Sequence, residues 1–169
     1  MIRFAARCAG TLGAAMLAGC AARAPAPPAP VPAAKPAGPV APAPCEPAAA
    51  GSPLVGTWYG AGQQPGVRGE LQTLMVLAPD GTLTLQRRVK AGRAIRSELR
   101  EAGCWQYAGG VYATRITRSN GEPVDASDPI YRNQYRVEKV DASRLVYREG
   151  GQGGRAATFR KMRPGYRLP

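Results

Sequence analysis

The stretch Pro79-Asp80-Gly81-Thr82-Leu83-Thr84-Leu85-Gln86 contains a turn and the strand that follows it. Pro-Asp-Gly is a strong turn signal, because proline fixes φ, aspartate bonds to the backbone that follows it, and glycine accepts a positive φ. Over residues 82–86 polar and apolar side chains alternate, as in a strand with one face in a core and the other in solvent. A second, mainly apolar run over 70–78 precedes the turn. The two runs therefore predict an antiparallel β-hairpin.

Short runs of the same kind recur between residues 54 and 162 at fairly even spacing, and no convincing amphipathic helix interrupts them. Turn signals such as Ala108-Gly109-Gly110 separate them. Eight or nine short strands in this arrangement predict an all-β fold, a small antiparallel meander closed into a barrel. The predicted strands are 54–59, 70–78, 82–86, 95–100, 103–107, 111–117, 130–137, 144–148 and 156–162, with a longer loop over 119–129.

The composition divides the 169 residues into unequal parts. Residues 21–53 hold eleven of the 17 prolines, with little but alanine between them. Such a segment cannot build a core and favours polyproline II, so we expect a disordered, semi-rigid spacer over 20–52. Both tryptophans and all seven tyrosines come later. The folded domain is therefore expected at 53–163, with 164–169 as a tail.

The first nineteen residues have the features of an export signal. Arg3 and Arg7 give a basic start without an acidic residue, and residues 8–16 are small and apolar. This apolar stretch is too short to span a bilayer, which takes about 20 residues. Residues 1–19 are therefore predicted to be a signal peptide that is removed.

Leu17-Ala18-Gly19-Cys20 resembles a bacterial lipobox at all four positions. The resemblance implies that the Cys20 thiol receives a diacylglyceryl group and that the signal is cut before it. Two or three acyl chains then make an effectively permanent membrane anchor. Ala21 at the next position implies the outer membrane, with the domain facing the periplasm; the inner membrane and the cell surface are the alternatives.

Cys45 and Cys104 are the cysteines that remain, since Cys8 leaves with the signal and Cys20 is lipidated. An even pair in an oxidising compartment predicts a disulfide between them. It would close a loop of about 60 residues and stabilise the fold by about 4 kcal/mol. Pairing of Cys45 between two chains is the alternative.

Gly56-Thr57-Trp58 on the first predicted strand matches the G-x-W signature of lipocalins and related fatty-acid-binding barrels. The resemblance covers most of residues 54–163 and implies that Trp58 plugs the closed end of a barrel. It also implies an arginine packed across the indole ring, for which Arg160 and Arg163 are the candidates.

The sequence contains no histidine, which excludes Ser-His-Asp and Cys-His catalysis and histidine-ligated metals. Without a free cysteine or paired carboxylates on adjacent strands, we expect no enzyme activity and no cofactor. Asp125 and Asp128 share a loop but lack the spacing of a calcium site, so no metal is expected. Residues 150–154 are rich in glycine but lack the lysine and helix of a phosphate-binding loop, and they predict a flexible hairpin tip.

The chain carries a net charge of +12, of which the two arginines of the predicted signal contribute two, so +10 remains after its removal. This charge either serves solubility or attracts anionic partners, such as lipid headgroups or another component of the cell envelope. Export argues against nucleic acid as a partner.

Barrels of this type bind through side chains that point inward, so the phase of each strand decides the candidates. If Leu83 and Leu85 face inward, Arg87 shares their face, while Tyr131 and Tyr135 share one face of a later strand. These three, Arg87, Tyr131 and Tyr135, are the candidate ligand-binding residues, with Arg87 pairing with a carboxylate or phosphate of an otherwise apolar ligand. The alternative is that the tyrosines pack the core and Arg87 extends at the rim.

The leading function is therefore a membrane-anchored periplasmic lipoprotein whose barrel binds a small amphipathic or envelope-derived ligand. The alternative is a structural or inhibitory protein-interaction module of the cell envelope.

Overall fold

The computed structural model describes residues 43–125, 127–150 and 154–169. The predicted signal peptide, the predicted lipidation site Cys20 and the spacer up to residue 42 lie outside the described residues. So do residues 151–153 of the predicted hairpin tip.

Nine β-strands and one short 3-10 helix make up the regular structure of the described residues. No helix in these ranges is long and apolar enough to cross a membrane. The 3-10 helix is Pro129–Tyr131, and the strands are β1 (Gly56–Gln63), β2 (Glu70–Leu77), β3 (Thr82–Ala91), β4 (Ala94–Ala108), β5 (Val111–Ser119), β6 (Glu122–Pro123), β7 (Arg132–Val140), β8 (Arg144–Glu149) and β9 (Ala156–Met162).

Eight of these strands close into a barrel. From β1 to β5 each strand pairs antiparallel with the next, β5 pairs with β7, and β9 returns to pair with β1. The two-residue β6 pairs with one end of β5 and adds an extra strand to the ring. The predicted all-β antiparallel meander barrel is thus confirmed.

β4 differs from the prediction, because it is one continuous strand of 15 residues where two strands, 95–100 and 103–107, are predicted. Ala102 and Gly103 mark a register shift in the pairing with β5, and the chain makes no turn there. A Cβ on Gly103 would lie 2.1 Å from the Arg115 carbonyl oxygen, so the close approach of β5 requires glycine. The predicted hairpin at Gly109 and Gly110 is present, and both residues have the positive φ that a tight two-residue turn needs.

The interior of one end of the barrel is filled with large side chains. Trp58 on β1 lies opposite Met75 on β2, which lies opposite Leu85 on β3, so alternate residues of successive strands point inward together. The largest fully buried side chains are Trp58, Trp105, Tyr112, Leu54, Met75, Leu77, Leu83 and Leu145.

Residues 43–55 pack against this closed end before β1 begins. Leu54 is fully buried, and its carbonyl oxygen accepts a hydrogen bond of 2.8 Å from the indole nitrogen of Trp58. The backbone nitrogen of Ala48 donates to the carbonyl oxygen of Pro79. Cys45 and Cys104 form the predicted disulfide within one chain, with their Cα atoms 5.2 Å apart. The segment that precedes β1 is therefore joined covalently to β4.

The cation over Trp58 is Lys161, and the prediction of Arg160 or Arg163 was wrong. Lys161 is the register partner of Trp58, and its Nζ lies 5.1 Å from the centroid of the indole ring. Arg160 is one residue earlier on β9 and therefore lies on the outer face, with its guanidinium 5.1 Å from the ring centroid of Tyr59. Arg163 follows the end of β9 and is exposed.

A second cluster of buried side chains lies on the outer face of β1, β2 and β3. The ring of Tyr166, which follows β9, lies 5.7 Å from that of Tyr59. Arg88 donates from Nε to the Gln72 side chain at 2.9 Å and from Nη2 to the carbonyl oxygen of Pro169. These contacts explain the low exposure of four outward-facing residues, Tyr59 (8%), Gln72 (3%), Leu74 (8%) and Arg88 (8%).

Candidate ligand-binding cavity

A cavity of about 800 Å³ occupies the barrel at the end away from Trp58. Its mouth lies where β1 ends, where the loop after β5 returns through Ile130, and where β8 connects to β9. Its floor includes Thr73, Ile116 and Phe159. These residues point inward, as do the side chains of the same strands that fill the closed end of the barrel.

Aromatic rings form one wall of the cavity. Tyr135, Tyr147 and Phe159 come from the adjacent strands β7, β8 and β9, and successive ring centroids are 4.6 Å and 5.1 Å apart. Tyr112 on β5 lies 5.4 Å from Tyr135 and is fully buried, with its hydroxyl donating to the sulfur of Met75. Four neighbouring strands thus contribute one continuous aromatic cluster, which suits the apolar part of a ligand.

Gly60 is the reason that this cluster fits against β1. A Cβ at this position would lie 2.8 Å from Cδ1 of Phe159, so any side chain on Gly60 would displace the ring. The missing side chain leaves space that Phe159 occupies.

The tyrosine hydroxyls of the cluster are neutral hydrogen-bonding groups at physiological pH. Burial raises the pKa of Tyr112 and of Tyr147 well above the usual tyrosine value. Burial also raises the pKa of Tyr135, and the nearby Arg87 guanidinium partly opposes that rise. Each hydroxyl therefore keeps its proton and can donate as well as accept.

An ion pair between β3 and β4 supplies charged groups to another part of the cavity wall. Nη1 of Arg87 lies 3.4 Å from Oε2 of Glu101, and the two side chains are 36% and 11% exposed. Arg87 is the register partner of Leu99. Glu101 is two residues after Leu99 on β4, so its side chain points inward as well. The pair presents a cationic donor and an anionic acceptor to the cavity, close to Tyr135.

The charges that face the cavity are balanced. Arg88 and Glu98, one of each sign, also border it, but their side chains bond to partners on the outer surface. The inward charged residues are Arg87, Glu101, Glu149 and Arg155, two of each sign. The lumen therefore has no net charge despite the strongly basic chain.

The structure brings all three sequence-predicted binding residues to the cavity wall. Arg87 shares the inward face of Leu83 and Leu85, as predicted, and Glu101 holds its guanidinium inside the lumen. Tyr131 and Tyr135 both line the cavity, but the predicted strand 130–137 begins only at Arg132, and Tyr131 is the last residue of the 3-10 helix before it.

Sequence reasoning missed Glu101, Tyr147 and Phe159. Glu101 falls where the predicted strand 95–100 ends, so it was not assigned to a face. The alternation of Leu145, Tyr147 and Glu149 was the available signal for the β8 residues.

The loop carboxylates Asp125 and Asp128 bond within their own turns. Asp125 accepts from the backbone nitrogen and the hydroxyl of Ser127, and Asp128 accepts from the backbone nitrogen of Ile130. The described part of the chain contains no group of three or more acidic, cysteine or histidine side chains that could hold a metal ion.

Among solved structures, the chain is similar to the crystal structure of Rv2717c from M. tuberculosis. The two are 23% identical, the match covers 66% of this chain and 94% of that chain, and the TM-score is 0.28. No protein-family model matches the chain, and a search of curated proteins finds no match. At this identity and TM-score, the likeness to Rv2717c carries no argument about what the barrel binds.

Proposed function

We propose that the protein is a lipoprotein of the bacterial outer membrane, anchored through Cys20, whose periplasmic barrel binds a small amphipathic molecule. The observation that carries the binding proposal is the cavity of about 800 Å³, which has aromatic rings on one side and the Arg87–Glu101 pair on the other. Ligand sites in proteins are commonly concave spaces of roughly 300–1,000 Å³, mainly apolar, with a few polar groups that fix orientation.

The balanced charge of the lumen favours one kind of head group. Arg87 already has a carboxylate partner, so a simple anion would have to compete with Glu101 for the guanidinium. A head group with a donor and an acceptor can bond to Glu101 and Arg87 at the same time and leaves neither charge unpaired. We therefore propose a zwitterionic or neutral polar head and an apolar body that packs on Tyr147 and Phe159.

The anchoring part of the proposal rests on Leu17-Ala18-Gly19-Cys20 and on the basic, apolar leader before it. Replacing Cys20 with serine removes the thiol that accepts the lipid. The expected result is loss of radiolabelled palmitate incorporation and a shift of the protein from the detergent phase to the aqueous phase in Triton X-114 partition. Cys8→Ser is the matched control and should keep both properties. A Cys20→Ser protein that still incorporates palmitate would contradict the anchor.

Gly62 offers a way to fill the cavity without disturbing the fold. It lines the cavity on β1, and a Cβ placed there would meet no atom within 4 Å. Gly62→Phe is expected to lower affinity for the uncharged fluorescent probe N-phenyl-1-naphthylamine about tenfold or more, which corresponds to a loss of about 1.4 kcal/mol. Fluorescence titration measures the affinity, and the urea midpoint should stay close to that of the unchanged protein.

Thr84→Phe is the control for this substitution, because Thr84 is exposed on the outer face of β3. It adds the same ring outside the barrel and should leave probe binding unchanged. Equal affinities for the Gly62→Phe and unchanged proteins would contradict ligand binding in the cavity.

Native mass spectra of the protein purified from envelopes should also show a bound small molecule.

A further inference from the structure

The outer face of β7, β8 and β9 carries arginines directly opposite one another. Arg136 on β7 pairs in register with Arg148 on β8, and Arg144 on β8 pairs with Arg160 on β9. We call this surface the basic face; its outward residues are Arg132, Gln134, Arg136, Glu138, Lys139, Arg144, Val146, Arg148, Ala156, Thr158 and Arg160. Like charges placed directly opposite on adjacent strands destabilise a sheet.

The other side of the barrel is arranged differently. On the outer face of β3 and β4, Arg88 lies opposite Glu98, and Glu98 also accepts from Arg100 at 2.6 Å and from Gln86 at 3.1 Å. The same chain therefore places opposite charges together on one outer face and like charges together on another. General enrichment in arginine does not explain this difference.

Internal partners neutralise only part of the basic face. Arg148 bonds to Glu138 at 2.7 Å, and Lys139 lies 3.5 Å from Asp141. Arg160 lies over the ring of Tyr59, which leaves its charge uncompensated. Arg136 and Arg144 are exposed, and their guanidinium groups make no hydrogen bond or ion pair with any residue that the structure describes. The backbone nitrogen of Arg144 donates to the Asp141 carboxylate at 2.8 Å.

We propose that the basic face docks on the phosphate groups of an anionic phospholipid bilayer. Guanidinium groups match phosphate oxygens in geometry and charge, and a layer of phosphates would separate the opposed arginines. Of the large exposed hydrophobic residues in the described ranges, Val76, Ile95 and Ile130 lie outside β7, β8 and β9, and Val111 on β5 lies beside the basic face as the register partner of Arg136. A single valine at the edge does not form an apolar patch. A protein partner would need such apolar anchors, whereas headgroup binding works through charge alone.

The test uses the mature chain, residues 20–169 with Cys20→Ser, so that neither lipid nor leader contributes to binding. The protein should sediment with vesicles of phosphatidylcholine and phosphatidylglycerol but not with phosphatidylcholine alone. Replacing Arg136, Arg144 and Arg160 with glutamine should weaken the binding about 100-fold, because each arginine near an anionic surface contributes about fivefold. The lysine versions of the three substitutions keep the charge and should retain most of the binding.

A control triple removes the same charge elsewhere, with glutamine at Arg68, Arg93 and Arg96, which are all exposed. It should change vesicle binding less than about threefold, roughly the effect of less than one arginine near the surface. An equal loss in both triples would overturn the proposal, as would equal sedimentation with both vesicle types. Binding to heparin that depends on the basic face, without binding to anionic vesicles, would also overturn the proposal. It would identify a soluble polyanion as the partner of this face.

The proposal does not depend on the cavity. A failure of vesicle binding leaves the Gly62→Phe result unaffected, and a failure of probe binding leaves the vesicle result unaffected.

Discussion

Replacing Trp58 with alanine is expected to lower the free energy of unfolding by about 3–5 kcal/mol, because it empties a fully buried site. The substitution removes the indole from the centre of the closed end and the hydrogen bond to the Leu54 carbonyl oxygen. It also exposes the ammonium of Lys161 to a cavity in place of a ring face. A loss of this size is a large fraction of the roughly 5–15 kcal/mol that stabilise a domain. Urea unfolding followed by circular dichroism measures it.

Trp58→Phe separates packing from hydrogen bonding at the same site. It keeps much of the ring and loses the donor, so it should cost about 1–3 kcal/mol, the cost of an unsatisfied buried acceptor. Binding of N-phenyl-1-naphthylamine by Trp58→Phe should match that of the unchanged protein, because Trp58 lies at the end away from the cavity. An alanine variant with an unchanged urea midpoint would mean that the closed end is not packed as described.

Removing the disulfide is expected to lower the free energy of unfolding by about 4 kcal/mol. Cys45 and Cys104 are 59 residues apart in sequence, so the bond restricts a long loop of the unfolded chain. The double substitution with alanine leaves no unpaired thiol in the described part of the chain. The same loss should follow when the unchanged protein is unfolded in the presence of dithiothreitol.

The double variant is its own control, since dithiothreitol should not alter its urea midpoint. Non-reducing electrophoresis of the unchanged protein should give a monomer band. A dimer band that disappears with reductant would show that Cys45 pairs between chains instead.

The meander barrel could be predicted because its strands carry local signals. The alternation over residues 82–86 and the turn at Gly109-Gly110 each depend on a few neighbouring residues, and both features are present. The continuity of β4 could not be predicted, because Ala102 and Gly103 look like a break. Only the close approach of β5 to Gly103 shows that the chain continues in the sheet.

The candidate site could be predicted within a strand but not across the sheet. The phase of Leu83 and Leu85 places Arg87 inside, because side chains alternate with a period of two. Its partner Glu101 depends on the register of β3 against β4, and the residue over Trp58 depends on the register of β9 against β1. A shift of one residue in that register exchanges Arg160 and Lys161 between the two faces. Long-range register is not encoded in any short stretch, so these partners emerge only in the folded chain.

The covalent link between Cys45 and Cys104 also has a mechanical consequence. Tension applied to the chain before Cys45 reaches the disulfide first, and this bond gives it a direct covalent path to Cys104 on β4. The force therefore enters the sheet at β4 and not at the start of β1, which is paired with β2 and β9. Under reducing conditions the same pull would act on residues 46–55 and then on β1, at the strand that holds Trp58. The disulfide therefore determines at which strand a force applied before Cys45 enters the barrel.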